Sequence, residues 1–304
     1  MARLTHPPRP WRGAVLLVAG AYFAVPLLAS LVFTVDVPGQ GFTLGSYTQI
    51  FAADGFTAAL LRSLGLALAT VALALFLTVP AALAVRLSGS GRLRAALEVV
   101  CTLPLVVPPV ALVAGLGTVL KWGPDHLATT PLYETFVAIQ NPSFPLVLVF
   151  AYVVMALPFV YRSLDAGLRA VEVRTLVEAA RDLGASWPRA LFAVVLPNLR
   201  TALLNASFLA LALVLGEFTV ASLLGFQPFA VWIVQASGAN AQLSVAVSLL
   251  SLLLTWGLLL VVTGLARTRG ATGRPARTTR PLASSAHTRT TRTTRTTRRK
   301  EAVR

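Results

Sequence analysis

Charged residues are scarce in this 304-residue chain, at 12%, against about 25% in an ordinary soluble domain. That scarcity, with 56% hydrophobic residues, excludes an ordinary soluble fold. Cysteine is almost absent: the single Cys101 rules out a disulfide framework, and its apolar surroundings predict a small space-filling role. Histidine is limited to His6, His126 and His287, all in expected loops or termini. An intramembrane serine protease, which needs a histidine within a span, is therefore excluded. Lysine occurs only as Lys121 and Lys300, neither in the G-x-x-x-x-G-K-[ST] setting of a phosphate-binding loop. The chain cannot hydrolyse ATP by that route, and it reads as a non-enzyme.

What is abundant is uninterrupted apolar sequence. A bilayer core of roughly 30 Å needs about 20 apolar residues per helix, and six runs approach or exceed that length. They are Ala14 to Val35, Ser63 to Val85, Val99 to Leu120, about Phe144 to Tyr161, about Thr201 to Gly225, and Leu243 to Leu265. The first is too long for a signal-peptide core of about 7 to 15 residues and is expected to be a retained helix. The segment Phe226 to Gln242 is expected to be a short outer loop with an apolar patch, Phe229 to Val234. The expected fold class is all-α and integral to a membrane, with six transmembrane helices in one domain over residues 14–265. Residues 1–13 precede it, and a basic tail, 266–304, follows.

The net charge of +15 resembles a nucleic-acid signal until it is placed. Twelve of the 26 basic residues lie in the tail, which is rich in Arg and Thr and has nothing apolar to bury, so disorder is expected there. A nucleic-acid partner is not expected. Short Lys- and Arg-rich loops stay cytoplasmic. With the N-terminus inside, 24 basic residues fall on the inner side and only Arg62 and Lys121 outside. Both termini are thus expected on the cytoplasmic side of the membrane. Trp11, Tyr47, Trp122, Tyr161 and Trp232 fall near expected helix ends, where amphipathic rings meet the headgroups.

Two features inside the runs carry candidate function. Leu103-Pro104 and Pro108-Pro109 remove helix hydrogen bonds and predict a kink or break in the third span, either a static packing feature or part of a gate. Glu217 is the one acid well inside a run. A charge there costs about 2.5 to 3.5 kcal/mol on insertion scales, so it is expected to face a partner, the assembly interior or a water-filled path. Its neighbour Gly216 is expected to allow close helix approach.

The longest inner loop, at about 165–200, is not loop-like. Leu176, Ala179, Ala180 and Leu183 recur at helical spacing and predict one apolar face. Glu178 stands four residues after Arg174 and three before Arg181, spacings that place these charges side by side. Gly184 is expected to stop the helix, Ser186 to cap the next, and Pro188 to sit in its first turn.

Glu178-Ala179-Ala180, three residues, Gly184, nine residues, then Val194-Val195-Leu196-Pro197 resembles the cytoplasmic EAA motif of permeases from binding-protein-dependent ABC importers. The family usually has Ile where Val194 stands. The resemblance implies a type I permease fold and a coupling helix, Leu176 to Ser186, seated in a partner ATPase. Glu178, Ala179, Ala180, Gly184, Leu196 and Pro197 are the implied coupling residues. It further implies ATP-binding subunits that hold ATP and magnesium, a second permease, the same or related, and an extracytoplasmic solute-binding protein. No cofactor is expected in this chain itself. Glu217, Pro104, Pro108 and Pro109 are the candidates for translocation path or gate.

The layout from Phe42-Thr43-Leu44 and Tyr47, through Arg62-Ser63-Leu64, to Gly216-Glu217-Phe218 looks most like spermidine/putrescine-type permeases, with Arg62 replacing a frequent Asn. The implied solute is a polyamine. Iron(III), thiamine, sulfate or molybdate, and phosphonate permeases share much of this pattern. An ion-gradient-driven secondary transporter is the more distant alternative; one buried acid and no evident repeat argue against it.

Overall fold

The computed structural model describes residues 10–37, 39, 41–239 and 241–268. The calls on residues 1–9 and on the tail from 269 onward lie outside the described residues. The described part is helical apart from its connections and one pair of two-residue strands, Asp36–Val37 with Gly41–Phe42. Three helices are long and apolar enough to cross a bilayer, and two further pairs of helices pass that test only as bent units.

The first span is α1 (Pro10–Val35), followed by the short α2 (Gly45–Ile50). The second is α3 (Phe56–Ser88), begun and ended by glycines with positive φ. The run from Val99 to Leu120 is not one helix. It divides into α4 (Gly91–Thr102), a 3-10 turn at Leu103–Leu105, and α5 (Pro109–His126), with the helical pieces bent by 99°. The break follows from its prolines: Pro104, Pro108 and Pro109 offer no N-H, and each disfavours helical backbone in the residue before it. Pro108 is extended (φ −60°, ψ 144°) and Pro109 opens α5, where a missing donor is harmless. The expected third span is therefore a bent pair rather than one straight helix, with α5 about 27 Å long.

After the short α6 (Leu132–Ile139) comes α7 (Leu146–Ala170), which continues nine residues beyond the expected end at Tyr161. Arg162 is thus inside a helix rather than in the inner loop, and Tyr161 is buried in packing within the helix rather than near its end. The loop helices are α8 (Val173–Asp182), α9 (Trp187–Ala190), a π-helical stretch Leu191–Val195, and α10 (Leu196–Asn198). The expected fifth span, Thr201 to Gly225, is instead α11 (Arg200–Gly216), a break at Glu217-Phe218, and α12 (Thr219–Leu223). Phe226 to Gln242 holds α13 (Phe229–Ala239), a helix rather than a loop, with Phe229 and Val231 buried. The last helix, α14 (Ala241–Thr268), covers the sixth expected run and extends three residues past Leu265.

The core is α3, α7 and α11 packed against one another. Between helices in lipid, close van der Waals contact replaces the hydrophobic drive of water, which favours small interface residues. On α11, Ala202, Ala206 and Ala210 repeat every four residues and are all buried. Against Ala202 sits Gly167 of α7: a Cβ there would collide with the Ala202 Cβ. Gly216, the glycine expected to permit close approach, has open space around it.

The two ends of the bundle differ. At one, Ile50, Phe56, Ala59, Phe229, Ala246 and Val247 form a cluster, with Trp232 donating to the Asp54 carbonyl and the Phe229 N-H donating to Ser63. At the other, Ala82, Leu83, Leu168, Val173, Val177, Val195 and Leu199 join the ends of α3 and α7 to the loop helices. That end is rich in arginine.

Candidate coupling loop and membrane breaks

Helix α8 is held to the bundle by a stripe at i, i+4, i+7: Val173, Val177 and Ala180 are buried. Of the expected apolar face, Ala180 joins this stripe, while Ala179 is exposed and Leu183 is 89% exposed. The expected charge pairing is corrected. Arg174 reaches back to the end of α3, donating to the Leu87 carbonyl at 2.9 Å, while Glu178 is exposed and makes no ion pair among the described residues.

Gly184 ends α8 as expected. At φ +82° it occupies a region where a side chain is strained, and the chain closes with Gly184 N-H to Arg181 O and Ala185 N-H to Ala180 O, at 2.8 and 3.0 Å. This pair of bonds satisfies carbonyls that the helix end would leave bare. Ser186 stands at the N-cap of α9 with extended backbone but makes no side-chain cap bond, and Pro188 lies in the first turn. Further on, Val195 is fully buried and anchors the second half of the loop, with Pro197 exposed beside it. Pro197 removes a helix donor, and the π-helical stretch just before it takes up the misfit.

With one face of α8 committed to the bundle, the other is left to solvent. Glu178 and Ala179 are exposed there, Gly184 is exposed just after it, and the same loop exposes large apolar side chains: Leu183, Trp187 (45%) and Phe192 (66%). A helix–turn–helix anchored behind and apolar in front is suited to a packed contact with a polar rim. Leu183 belonged to the apolar face expected from sequence; Trp187 and Phe192 were not singled out there, and only the burial of their neighbours distinguishes them.

Glu217 is buried, at 8% exposure, and its carboxylate is occupied. Oε1 accepts from the Val220 N-H at 2.8 Å and Oε2 from the Ala221 N-H at 3.3 Å. It closes the break between α11 and α12, satisfying donors that a helix start leaves unpaired inside a membrane. The buried Tyr152 hydroxyl of α7 lies by this carboxylate without a well-formed hydrogen bond. Pro104, Pro108 and Pro109 are remote in sequence from it and form the other break, with Leu103, Val106 and Val110 exposed around them. Both membrane features singled out from sequence therefore mark interruptions of helices.

Sequence reasoning missed a third feature. A groove of about 760 Å³ runs between α7 and α11 near the arginine-rich end, and Arg162, Thr201 and Asn205 line it. Asn205, an amide within an apolar run, was a readable signal; Arg162 was hidden by the misplaced end of the fourth span.

Comparison with known proteins decides the family. The family model described as binding-protein-dependent transport system inner membrane component matches residues 74–268, which include both breaks and the whole coupling loop. The chain belongs to this family. Members of the inner membrane component family are transport permeases rather than enzymes. Among relatives, the Molybdenum transport system permease protein ModB of Mycobacterium tuberculosis is 32% identical over 215 residues, covering 70% of this chain and 76% of its own length. The Putrescine transport system permease protein PotI of Escherichia coli K12 is 27% identical over 222 residues, covering 70% and 74%. ModB of Azotobacter vinelandii is 33% identical over 135 residues, covering 44% and 58%. The family places this chain among the permeases of ABC importers, with an all-helical membrane fold of type I.

Proposed function

We propose that this permease forms one half of the path by which a small solute enters the cell, and that its α8 region is the contact through which a separate ATPase drives it. The observation that carries the reading is the anchored helix–turn–helix with Glu178, Gly184, Leu183, Trp187 and Phe192 exposed, on the residues of the EAA pattern. The arginine-rich end is the cytoplasmic one, in the bacterial inner membrane, with both termini inside. The partners are two ATP-binding subunits, which hold ATP and magnesium, a second permease and an external solute-binding protein. ATP-driven closure of the ATPases moves the coupling helices, and the spans answer by alternating access.

In this reading Glu217 works through the break it caps rather than as a ligand for solute, and the Pro104–Pro109 break gives the spans a place to bend. The relatives' solutes leave two chemistries, a polycation of the polyamine kind and an oxyanion of the molybdate kind. The expected polyamine loses its most evident partner, because the Glu217 carboxylate is engaged by backbone N-H groups.

The test is Leu183→Glu in the complete transporter. A charge at the centre of the packed contact is expected to remove copurification with the ATPase and lower ATP-dependent uptake by about tenfold or more, as loss of a central interface anchor does, while the permease keeps its thermal stability. Full retention of both copurification and uptake would end the coupling assignment.

A further inference from the structure

We infer that the groove between α7 and α11 is the inner part of the solute path and that Arg162, with Thr201 and Asn205, selects an anion of the tetrahedral oxyanion class. This rests on the permease reading above and names its solute.

Arg162 lies inside α7, eight residues before its end at Ala170, about 12 Å along the axis. Arg162 is exposed and makes no ion pair or hydrogen bond among the described residues. It borders the groove of about 760 Å³. The groove's described lining contains no carboxylate.

The acids near Arg162 do not cancel its charge. In an adjoining cleft it neighbours Glu98, Asp165 and Arg169. Asp165 is held by both Arg94, at 3.4 Å, and Arg169, whose Nε donates to it at 2.8 Å. Glu98 forms no ion pair within the cluster. Counting Arg94, Arg162 and Arg169 against Glu98 and Asp165 leaves one positive charge.

The opposite wall, α11, adds neutral hydrogen-bonding groups. Thr201 and Asn205 are exposed to the groove one helical turn apart. Asn205 has no partner among the described residues, whereas Ser163 is already spent, donating to the Ala202 carbonyl at 3.0 Å. A forked guanidinium sharing a groove with a hydroxyl and an amide matches the acceptor oxygens of an oxyanion. A polyammonium ion would find a cation and no carboxylate on the lining of this groove.

The experiment uses the complete transporter in energised membrane vesicles, with molybdate, sulfate and putrescine as probes. Wild type is expected to accumulate an oxyanion with ATP, Arg162→Gln to lower that rate by about tenfold, and Arg162→Lys to restore much of it. A second readout does not depend on turnover. In a Cys101→Ser background, the thiol introduced by Asn205→Cys is labelled with anionic and cationic methanethiosulfonates from the inner side. The anionic reagent is expected to be favoured, and Arg162→Gln to reduce the anion-to-cation rate ratio by about fivefold, the size of a unit charge acting across roughly 8 Å of water.

An unchanged ratio, or wild-type uptake of putrescine and no oxyanion, overturns the anion assignment while leaving the permease reading intact. Absence of ATP-dependent uptake of every probe, with no copurifying ATPase, overturns both.

Discussion

At the scale of the residue, two side chains show how burial assigns roles. Glu217 was legible in the sequence as the one acid within an apolar run, but its partner was not, because the capping N-H groups come from a break that hydropathy does not register. Both carboxylate oxygens accept backbone bonds, and loss of a capping side chain costs about 0.5 to 2 kcal/mol. Glu217→Gln keeps one acceptor and is expected to retain most uptake, whereas Glu217→Ala is expected to lower the melting temperature in detergent more than Gln does. Equal melting temperatures for the two variants would argue against the cap. Gly167 is the second case. It has no motif around it, yet a Cβ would strike Ala202. Gly167→Val is expected to destabilise by about 1 to 3 kcal/mol, the range for overpacking a fitted interface, seen as a lower melting temperature; Gly216→Ala, with open space around it, serves as the control.

At the scale of the element, periodicity located helix α8 and its turn but did not identify the face that packs on the bundle. Leu176, Ala179, Ala180 and Leu183 satisfy a helical repeat as well as Val173, Val177 and Ala180 do. Only the packing of α8 on α3 and the π-helical stretch chooses the latter set. Leu183 is then left exposed. The proline break shows the converse. The composition of Leu103 to Pro109 already demanded an interruption, but hydropathy ran the span through it, and the 99° angle depends on how α4 and α5 pack. The double substitution Pro108→Ala with Pro109→Ala restores an N-H at each position and relieves the preceding residues. It is expected to straighten this junction and lower transport severalfold with little loss of assembly. Normal transport would show the break to be a static packing feature.

At the scale of the whole molecule, orientation and energy source go together. With both the coupling loop and most arginines at one end, a thiol introduced by Glu178→Cys in the Cys101→Ser background is expected to react with an impermeant reagent only from the cytoplasmic side. Labelling from outside would invert the model and remove the ATPase contact with it.

Composition alone determined that the chain lives in a membrane, because apolar runs of this length have no other stable solvent. The order of Glu178, Ala179, Ala180, Gly184 and Pro197 determined the family, since spacing along the chain is preserved whatever the packing. Tertiary structure decided where helices truly end, which face of α8 is free, that Glu217 caps a break, and that Arg162 borders a groove. Those outcomes depend on which side chains meet across separate helices, and hydropathy, a property of one segment at a time, contains no record of such meetings.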